Sequence, residues 1–314
     1  DWSSDVCSSD LSGYSSASIT QKLLTSGFYS LGKVYDRNSY APISYSLSGF
    51  YAIDIGTLDI SPVYISNYRN VNAGYGIPID VSNISLTGST SSNYYISNYQ
   101  TISGVISQRY LYFTGNDKNY DRSTIATVSI SNLVGNDSTG YTAVFDNRNV
   151  GSAKTVTVSA LTNNNYQIYN INTTANVFQK YLKATFTGIN KVYNAVTAGQ
   201  STYTISGIIL GDVVDISNIY TSDFNNINVG ANKLMYINSV NLIGADYFNY
   251  VIDASGYSSA TITQKLLTSG FYSLGKVYDK TSYAPVSYTL SGFYPSDIRS
   301  EEHTSELQSR QYLV

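Results

Sequence analysis

The sequence predicts an all-β protein: tandem small antiparallel β-sandwich modules, Ig-like or similar, in an extended array. Three observations predict it. The stretch Ser12 to Tyr51 returns at Ser255 to Tyr294, gap-free over 40 positions, with only the exchanges Ser18/Thr261, Arg37/Lys280, Asn38/Thr281, Ile43/Val286 and Ser46/Thr289. A repeat this close makes the chain part of an array, and the period has to be found before any site is argued. Apolar and hydroxyl residues alternate with a period of two, the pattern of a half-buried strand. No ten-residue amphipathic helix pattern is present, whereas the 32 tyrosines suit strands, since the ring can be half buried while its hydroxyl stays wet.

Both ends differ in style from the rest. Residues 1–11 (DWSSDVCSSDL) and 299–314 (RSEEHTSELQSRQYLV) resemble translated sequencing-adapter sequence, the second following one adapter frame codon by codon from Arg299 to Ser309. They are read as adapter-derived, not native, and excluded from fold reasoning. The single tryptophan (Trp2), cysteine (Cys7) and histidine (His303) go with them. So do six of the 21 acidic and two of the 18 basic residues, leaving 16 basic against 15 acidic. That balance offers no electrostatic footprint for nucleic acid or an anionic membrane. No apolar run is long enough to span a bilayer as a helix. Without cysteine no disulfide can staple the fold, so stability has to come from burial and from neighbouring repeats.

In chain order, two landmarks recur. A Gln-Lys/Arg pair stands at Gln21-Lys22, Gln108-Arg109, Gln179-Lys180 and Gln264-Lys265. A Lys-x-Tyr-Asp/Asn box follows it, with Lys33, Tyr35 and Asp36; Lys118, Tyr120 and Asp121; Lys191, Tyr193 and Asn194; and Lys276, Tyr278 and Asp279. The boxes are 85, 73 and 85 residues apart. Each complete unit then carries Asn-x-Gly, ending in Gly74, Gly151 and Gly230, and later Asn-Tyr at Asn93-Tyr94, Asn165-Tyr166 and Asn249-Tyr250. The expected modules are 19–105, 106–177, 178–261 and a partial fourth, 262–298. Ala126 to Ser131 and Lys154 to Ser159 alternate as strands, and Tyr45 with Leu47 and Tyr203 with Ile205 share inward faces beside outward Ser46 and Thr204. Gly and Asn supply the turns because they reach positive φ cheaply, so Asn-x-Gly reads as a link between strands. Units of this size bury only about 60% of their unfolded surface and are marginal alone, so each is expected to lean on its neighbours.

Catalytic chemistry finds little purchase. Ser-His-Asp and Cys-His constellations need residues the native part lacks, as do zinc, copper and haem sites. Asp117 to Asp121 has the acidic spacing of a calcium-loop start, but Arg122 stands at the required Gly and Val128 at the bidentate Glu, so a solvated turn is expected. Asp212 with Asp215, or Asp54 with Asp59, could be imagined as glycosidase carboxylates, yet neither pair recurs and a turn entering a strand is the plainer reading. No phosphate-binding glycine motif is present. Tyr94-Tyr95, and Tyr247 with Tyr250, could stack on sugar rings, against the reading that they are core and cross-strand tyrosines. The box tyrosine is expected to be structural, its ring buried and its hydroxyl or the adjacent Asp tying a strand end to a turn.

Taken together, Ile-Thr-Gln-Lys, Lys-Val-Tyr-Asp, Asn-Val-Gly-x-x-Lys and Asn-Tyr resemble the YDG/MBG-type repeats of large bacterial surface proteins, over Ser12 to Ile298. The resemblance implies tandem all-β modules of filamentous-haemagglutinin-like adhesins at the cell surface or secreted. The chain departs from it in Arg37, Arg122 and Lys280 where Gly follows Tyr-Asp, in Asn194 for Asp, and in Asn119 for Val, so the turn at Asp36 is expected to differ. The expected function is a non-enzymatic stalk or spacer, with no catalytic, cofactor-binding or metal-binding residues. Its partners would be neighbouring repeats, with host or environmental glycans or proteins as further candidates and no nucleic acid. The alternative is a glycan- or host-surface-binding module using exposed tyrosines.

Overall fold

The computed structural model describes residues 14–297. The adapter-like stretches 1–11 and 299–314, and residue 298, lie outside the described residues. The fold is all-β: among the described residues there are only strands and four short 3-10 turns.

Repeat one shows how the pieces assemble. Ile65–Tyr68, Gly74–Ser82 and Tyr99–Ser107 form an antiparallel meander, with the box strand Lys33–Val34 added to its edge. That last pairing is parallel, Ile106 opposite Lys33 and Ser107 opposite Val34. The hairpin Thr25–Ser30 with Ile43–Ser48 makes a second layer. Lys22–Leu23 pairs in parallel with Tyr94–Tyr95, and Asp59–Ile60 pairs antiparallel with Leu86–Thr87. The all-β modules are as expected, and the two short parallel pairs add to their antiparallel sheets where strands distant in sequence meet side by side.

Repeat three uses the same plan. Thr221–Phe224, Gly230–Asn238 and Ser255–Thr263 form the meander with Lys191–Val192 on its edge, and Lys183–Ile189 with Gln200–Ser206 form the facing hairpin. Its core lies between the two layers. Ile216, Ile237 and Val240 are buried there, with Phe186, Tyr203, Tyr220 and Ile252 packed against them. Phe224, Met235, Ala260 and Ile262 fill a second cluster against Tyr193. Period-two alternation puts these side chains on one face, as with Ile77, Ile79 and Val81, or Val156 and Val158. The closing strands continue to Ser107, Phe178 and Thr263, past the expected ends at 105, 177 and 261. Repeat two is shorter and has no counterpart of the Asp59–Ile60 and Leu86–Thr87 pair among the described residues, which matches its shorter box spacing.

That small pair depends on glycine. Gly88 has φ +110° and Gly244 φ +114°, and an added Cβ would sit 2.2 Å from the Thr57 carbonyl oxygen and 2.3 Å from that of Val213. No side chain fits against a backbone at that distance.

By contacts the described chain divides into two compact units that do not coincide with the repeats. One comprises residues up to 115 with 126–144 and 155–174; the other comprises 116–125, 145–154 and 175 onward.

Candidate functional site at the repeated joint

The box begins with its lysine. Lys33 Nζ donates to Asp36 Oδ1 at 2.7 Å and also to the Asn38 carbonyl. Lys118 reaches Asp121 at 2.7 Å and the carbonyls of Ser123 and Ile125 at 2.9 Å. Lys191 reaches Asn194 at 2.7 Å and the carbonyls of Val196 and Ala198, and Lys276 reaches Asp279 at 3.0 Å and the Thr281 carbonyl at 2.9 Å. One ammonium with three donors thus gathers a loop that would otherwise leave its carbonyls unpaired. It also lies over an aromatic ring: Tyr68, Phe145 and Phe224 for the first three boxes. Asn194 takes the place of the Asp with its amide oxygen as the acceptor, without the carboxylate's charge.

The box acid turns the chain. Asp36, Asp121 and Asp279 each accept the backbone N–H two residues on, from Asn38, Ser123 and Thr281, at 2.9 Å. The residue between is left-handed at every box: φ is 64° at Arg37, 66° at Arg122, 61° at Ala195 and 64° at Lys280. The turn expected to differ at Asp36 therefore keeps the glycine-like backbone with an arginine in it. Such a conformation costs a non-glycine residue about 1 kcal/mol, which the Asx turn and the lysine clamp offset.

The box tyrosine leaves its own repeat. Tyr35 is 4% exposed, meets Tyr166 edge-on at 5.4 Å between centroids, and donates from its hydroxyl to Asp137 Oδ2 at 2.9 Å. Tyr166 donates to the same oxygen at 2.7 Å. All of these residues belong to the first unit. The second unit repeats the arrangement one module on: Tyr120 and Tyr250 meet at 5.4 Å and donate to Asp212 Oδ2 at 2.9 and 2.7 Å. Each joint is thus two edge-to-face phenols sharing one carboxylate. Repeat one carries the receiving half, Tyr94 donating to Asp54, and Tyr193 donates to Asp297 in the fourth hairpin. Tyr278, the box tyrosine of that hairpin, is 85% exposed.

Arginine strengthens two of these joints. Arg37 Nη1 lies 3.4 Å from Asp137, and Arg122 Nε lies 2.8 Å from Asp212 Oδ1, a close ion pair without the alignment of a hydrogen bond. The Asp212 side chain is fully buried. A carboxylate there would cost several kcal/mol if unpaired, and two phenols with a guanidinium supply the pairing. Burial first, and then the hydrogen bond to Asp212, pushes Tyr120 and Tyr250 up to about 12. Tyr35 and Tyr166 are raised by burial and by Asp137. Asp137 is held below the usual carboxylate range by the Tyr166 hydrogen bond, with Tyr35 and the Arg37 charge adding to it.

The Asn-x-Gly loop is the joint's second contact. The Ala73 N–H donates to Asn165 Oδ1 at 2.8 Å in the first unit, and the Val150 N–H to Asn249 Oδ1 at 3.0 Å in the second. The middle residue of the loop thus holds the Asn of the next Asn-Tyr. Gly74, Gly151 and Gly230 are the first residues of their strands, and none has a positive φ. The left-handed positions fall two residues later, at Gly76, Ala153 and Asn232. The reading of these glycines as positive-φ links is corrected: the reversal is made before them by Asx turns from Asn70, Asn147 and Asn226, and the left-handed kink follows inside the strand.

The carboxylates weighed as catalytic pairs serve different tyrosines. Asp212 belongs to the joint, whereas Asp215 accepts from Tyr203 at 2.9 Å within its own module. Asp212 follows a turn that leads into the strand Asp215–Ile216, as expected, and its side chain is buried because the receiving half of the joint closes over it. Asp117 is taken up by the Asn176 N–H at 2.6 Å and side chain at 3.0 Å. Tyr94 and Tyr250 are joint rings, while Tyr95 and Tyr247 are exposed. An Asp stands 17 to 19 residues after each box tyrosine, at 54, 137, 212 and 297; that spacing was the signal for the missed acceptors.

Comparison with protein families gives a match to the YDG domain over residues 20–102 and 179–260, together more than half of the chain. Among curated proteins nothing matches. Among solved structures, Drosophila N-cadherin EC1-3 is similar at 6% identity, covering 78% of this chain and 98% of that one, with a TM-score of 0.21.

Proposed function

This chain belongs to the YDG domain family, and we propose that it is a non-enzymatic spacer: a repetitive stalk segment of a large secreted or bacterial cell-surface adhesin. One observation carries the reading. The residues that recur from repeat to repeat are spent on the turn within a module, through the box lysine and acid, and on the joint to the next one, through the box tyrosine. A carboxylate that accepts two phenols has little capacity left to act as a base or nucleophile. What such a pattern preserves is the connection between modules. Small-angle scattering on chains with increasing numbers of repeats tests this: maximum dimension should grow in step with repeat number, and a constant compact size would overturn the proposal.

A second reading rests on a different feature. Tyr110, Tyr112 and Tyr169 form an aromatic cluster, with centroids 5.7 and 4.7 Å apart, and each ring is about half exposed. Exposed rings of this kind can stack on sugar faces. A glycan array should then give saturable binding that Tyr169→Ala abolishes; no signal on the array removes the reading.

A further inference from the structure

We propose that Lys154 and Asn147 join in an isopeptide bond, made by the folded module itself with Asp146 moving the protons. This goes beyond the spacer reading and does not rest on it.

The starting point is a lysine in a core position. Along the strand Gly151–Ser159 the inward side chains are Lys154, Val156 and Val158, and Lys154 is only 8% exposed. Repeat one has the buried Ile77 at the same place. The stem of Lys154 lies across Gly151, where an added Cβ would come within 3.2 Å of its Cγ and Cδ. That path carries the amine to the reversal between Thr142–Phe145 and Gly151–Ser159. There Nζ stands 2.7 Å from Asn147 Oδ1 and 2.8 Å from Asp146 Oδ1. All of these residues from 145 to 154 belong to the second unit.

The three groups are the parts of an acyl transfer: an amine nucleophile, a side-chain amide to receive it, and a carboxylate to carry protons. With a C=O bond of about 1.23 Å, a nitrogen this close to Oδ1 lies within about 4 Å of Cγ, and a side-chain rotation brings it to attack distance. The Asn149 N–H donates to Asn147 Oδ1 at 3.0 Å, so a donor already faces the oxygen on which negative charge develops. Asp146 takes a proton from the ammonium, and the freed lone pair forms the Nζ–Cγ bond while the carbonyl π electrons move onto Oδ1. As they return, the Cγ–Nδ2 bond breaks and its electron pair leaves with the nitrogen. Two protons in all pass from Nζ by way of Asp146 to that nitrogen, which departs as ammonium. Nothing is oxidised or reduced, and no co-reactant is consumed.

The other repeats are internal comparisons. Repeat three keeps the lysine and the amide, with Lys233 donating to Asn226, but has Asn225 where repeat two has Asp146. Repeat one keeps Asn70 and lacks the lysine. Lys191 also meets an amide, Asn194, but its other two hydrogen bonds go to the backbone carbonyls of Val196 and Ala198, which cannot take a proton. Of the three repeats, the second alone holds the full set, so one bond per chain is expected. It would staple the reversal whose Val150 N–H holds Asn249.

The test is the mass of the full chain, intact and after trypsin. The expected intact mass is one ammonia below that of the sequence. The digest should contain a branched peptide in which 123–148 is joined to 149–180, with Lys154 uncut and Lys233 cut. Asp146→Asn reproduces the Asn225-Asn226 pair that repeat three already accommodates, and should restore the sequence mass and cleavage at Lys154. A parent chain of unchanged mass that is cut at Lys154 would overturn the proposal. So would loss of ammonia with Lys154 still cut, which places the loss in a succinimide at Asn147. A branched peptide that persists in the Asp146→Asn chain would overturn the role given to Asp146.

Discussion

Tyr120→Ala is expected to destabilise the second unit by about 3–5 kcal/mol, much of what a small domain has. The ring is 1% exposed and packed at 76° against Tyr250, so its loss leaves a cavity that a sheet edge cannot collapse into. It also removes one of two phenols from Asp212, a carboxylate buried without solvent to replace the donor. Tyr120→Phe separates the two parts: the ring remains, the hydrogen bond goes, and a cost of about 1–2 kcal/mol is expected. Tyr193→Ala removes the equivalent box tyrosine where it is only half-buried, so its cost should be well below that of Tyr120→Ala. Denaturant melts of the three variants give the order. A Tyr120→Ala midpoint equal to that of the parent would show that the joint carries no stability.

Alkaline pH is expected to undo the same joint within a defined window. In the unfolded chain a tyrosine ionises near 10. In the fold Tyr120 and Tyr250 are pushed up to about 12, by burial and by the negative charge of Asp212. The stabilisation they contribute is therefore whole below pH 10, falls as pH rises above it, and is gone above about 12. Raising a tyrosine pKa by one on folding corresponds to about 1.4 kcal/mol, so the loss is on the order of a few kcal/mol. Tyrosinate absorbance should show a late-titrating fraction that coincides with loss of sheet signal. Asp212→Asn removes the charge, and should bring the late fraction to lower pH. A single titration of all tyrosines near pH 10, with the sheet intact throughout, would contradict the assignment.

Much of the module could be read from the chain because its signals are local. Alternation of apolar and hydroxyl residues depends only on the two-residue period of a strand, and Ile79, Val81, Val156 and Val158 are buried as their positions require. The box was visible as a unit because Lys33, Asp36 and Asn38 act on one another within a single turn. Long-range features were not legible. Asp137 and Asp212 look like surface turn residues until a tyrosine from the preceding repeat is laid on them, and Tyr35 lies 102 residues from its acceptor. The parallel pairs were missed for the same reason, since no hairpin connects Lys33 with Ile106.

The two near-identical stretches separate what sequence determines from what it does not. Thr25–Ser30 with Ile43–Ser48, and Thr268–Ser273 with Val286–Ser291, form the same hairpin in the same register, because alternation and turn residues act within the stretch itself. Burial is another matter. Phe28 is 4% exposed and its copy Phe271 is 72% exposed; Ile19 is fully exposed and its copy Ile262 is 1% exposed. Ile262 lies in a strand that closes the sheet of repeat three, whereas no strand among the described residues lies beside Ile19. Strand pattern and turn chemistry belong to the sequence, since their partners are a few residues away. Which strand is core, and which aspartate is a joint, was decided only by the tertiary structure, because the free energy of burial depends on a second surface that the stretch does not contain.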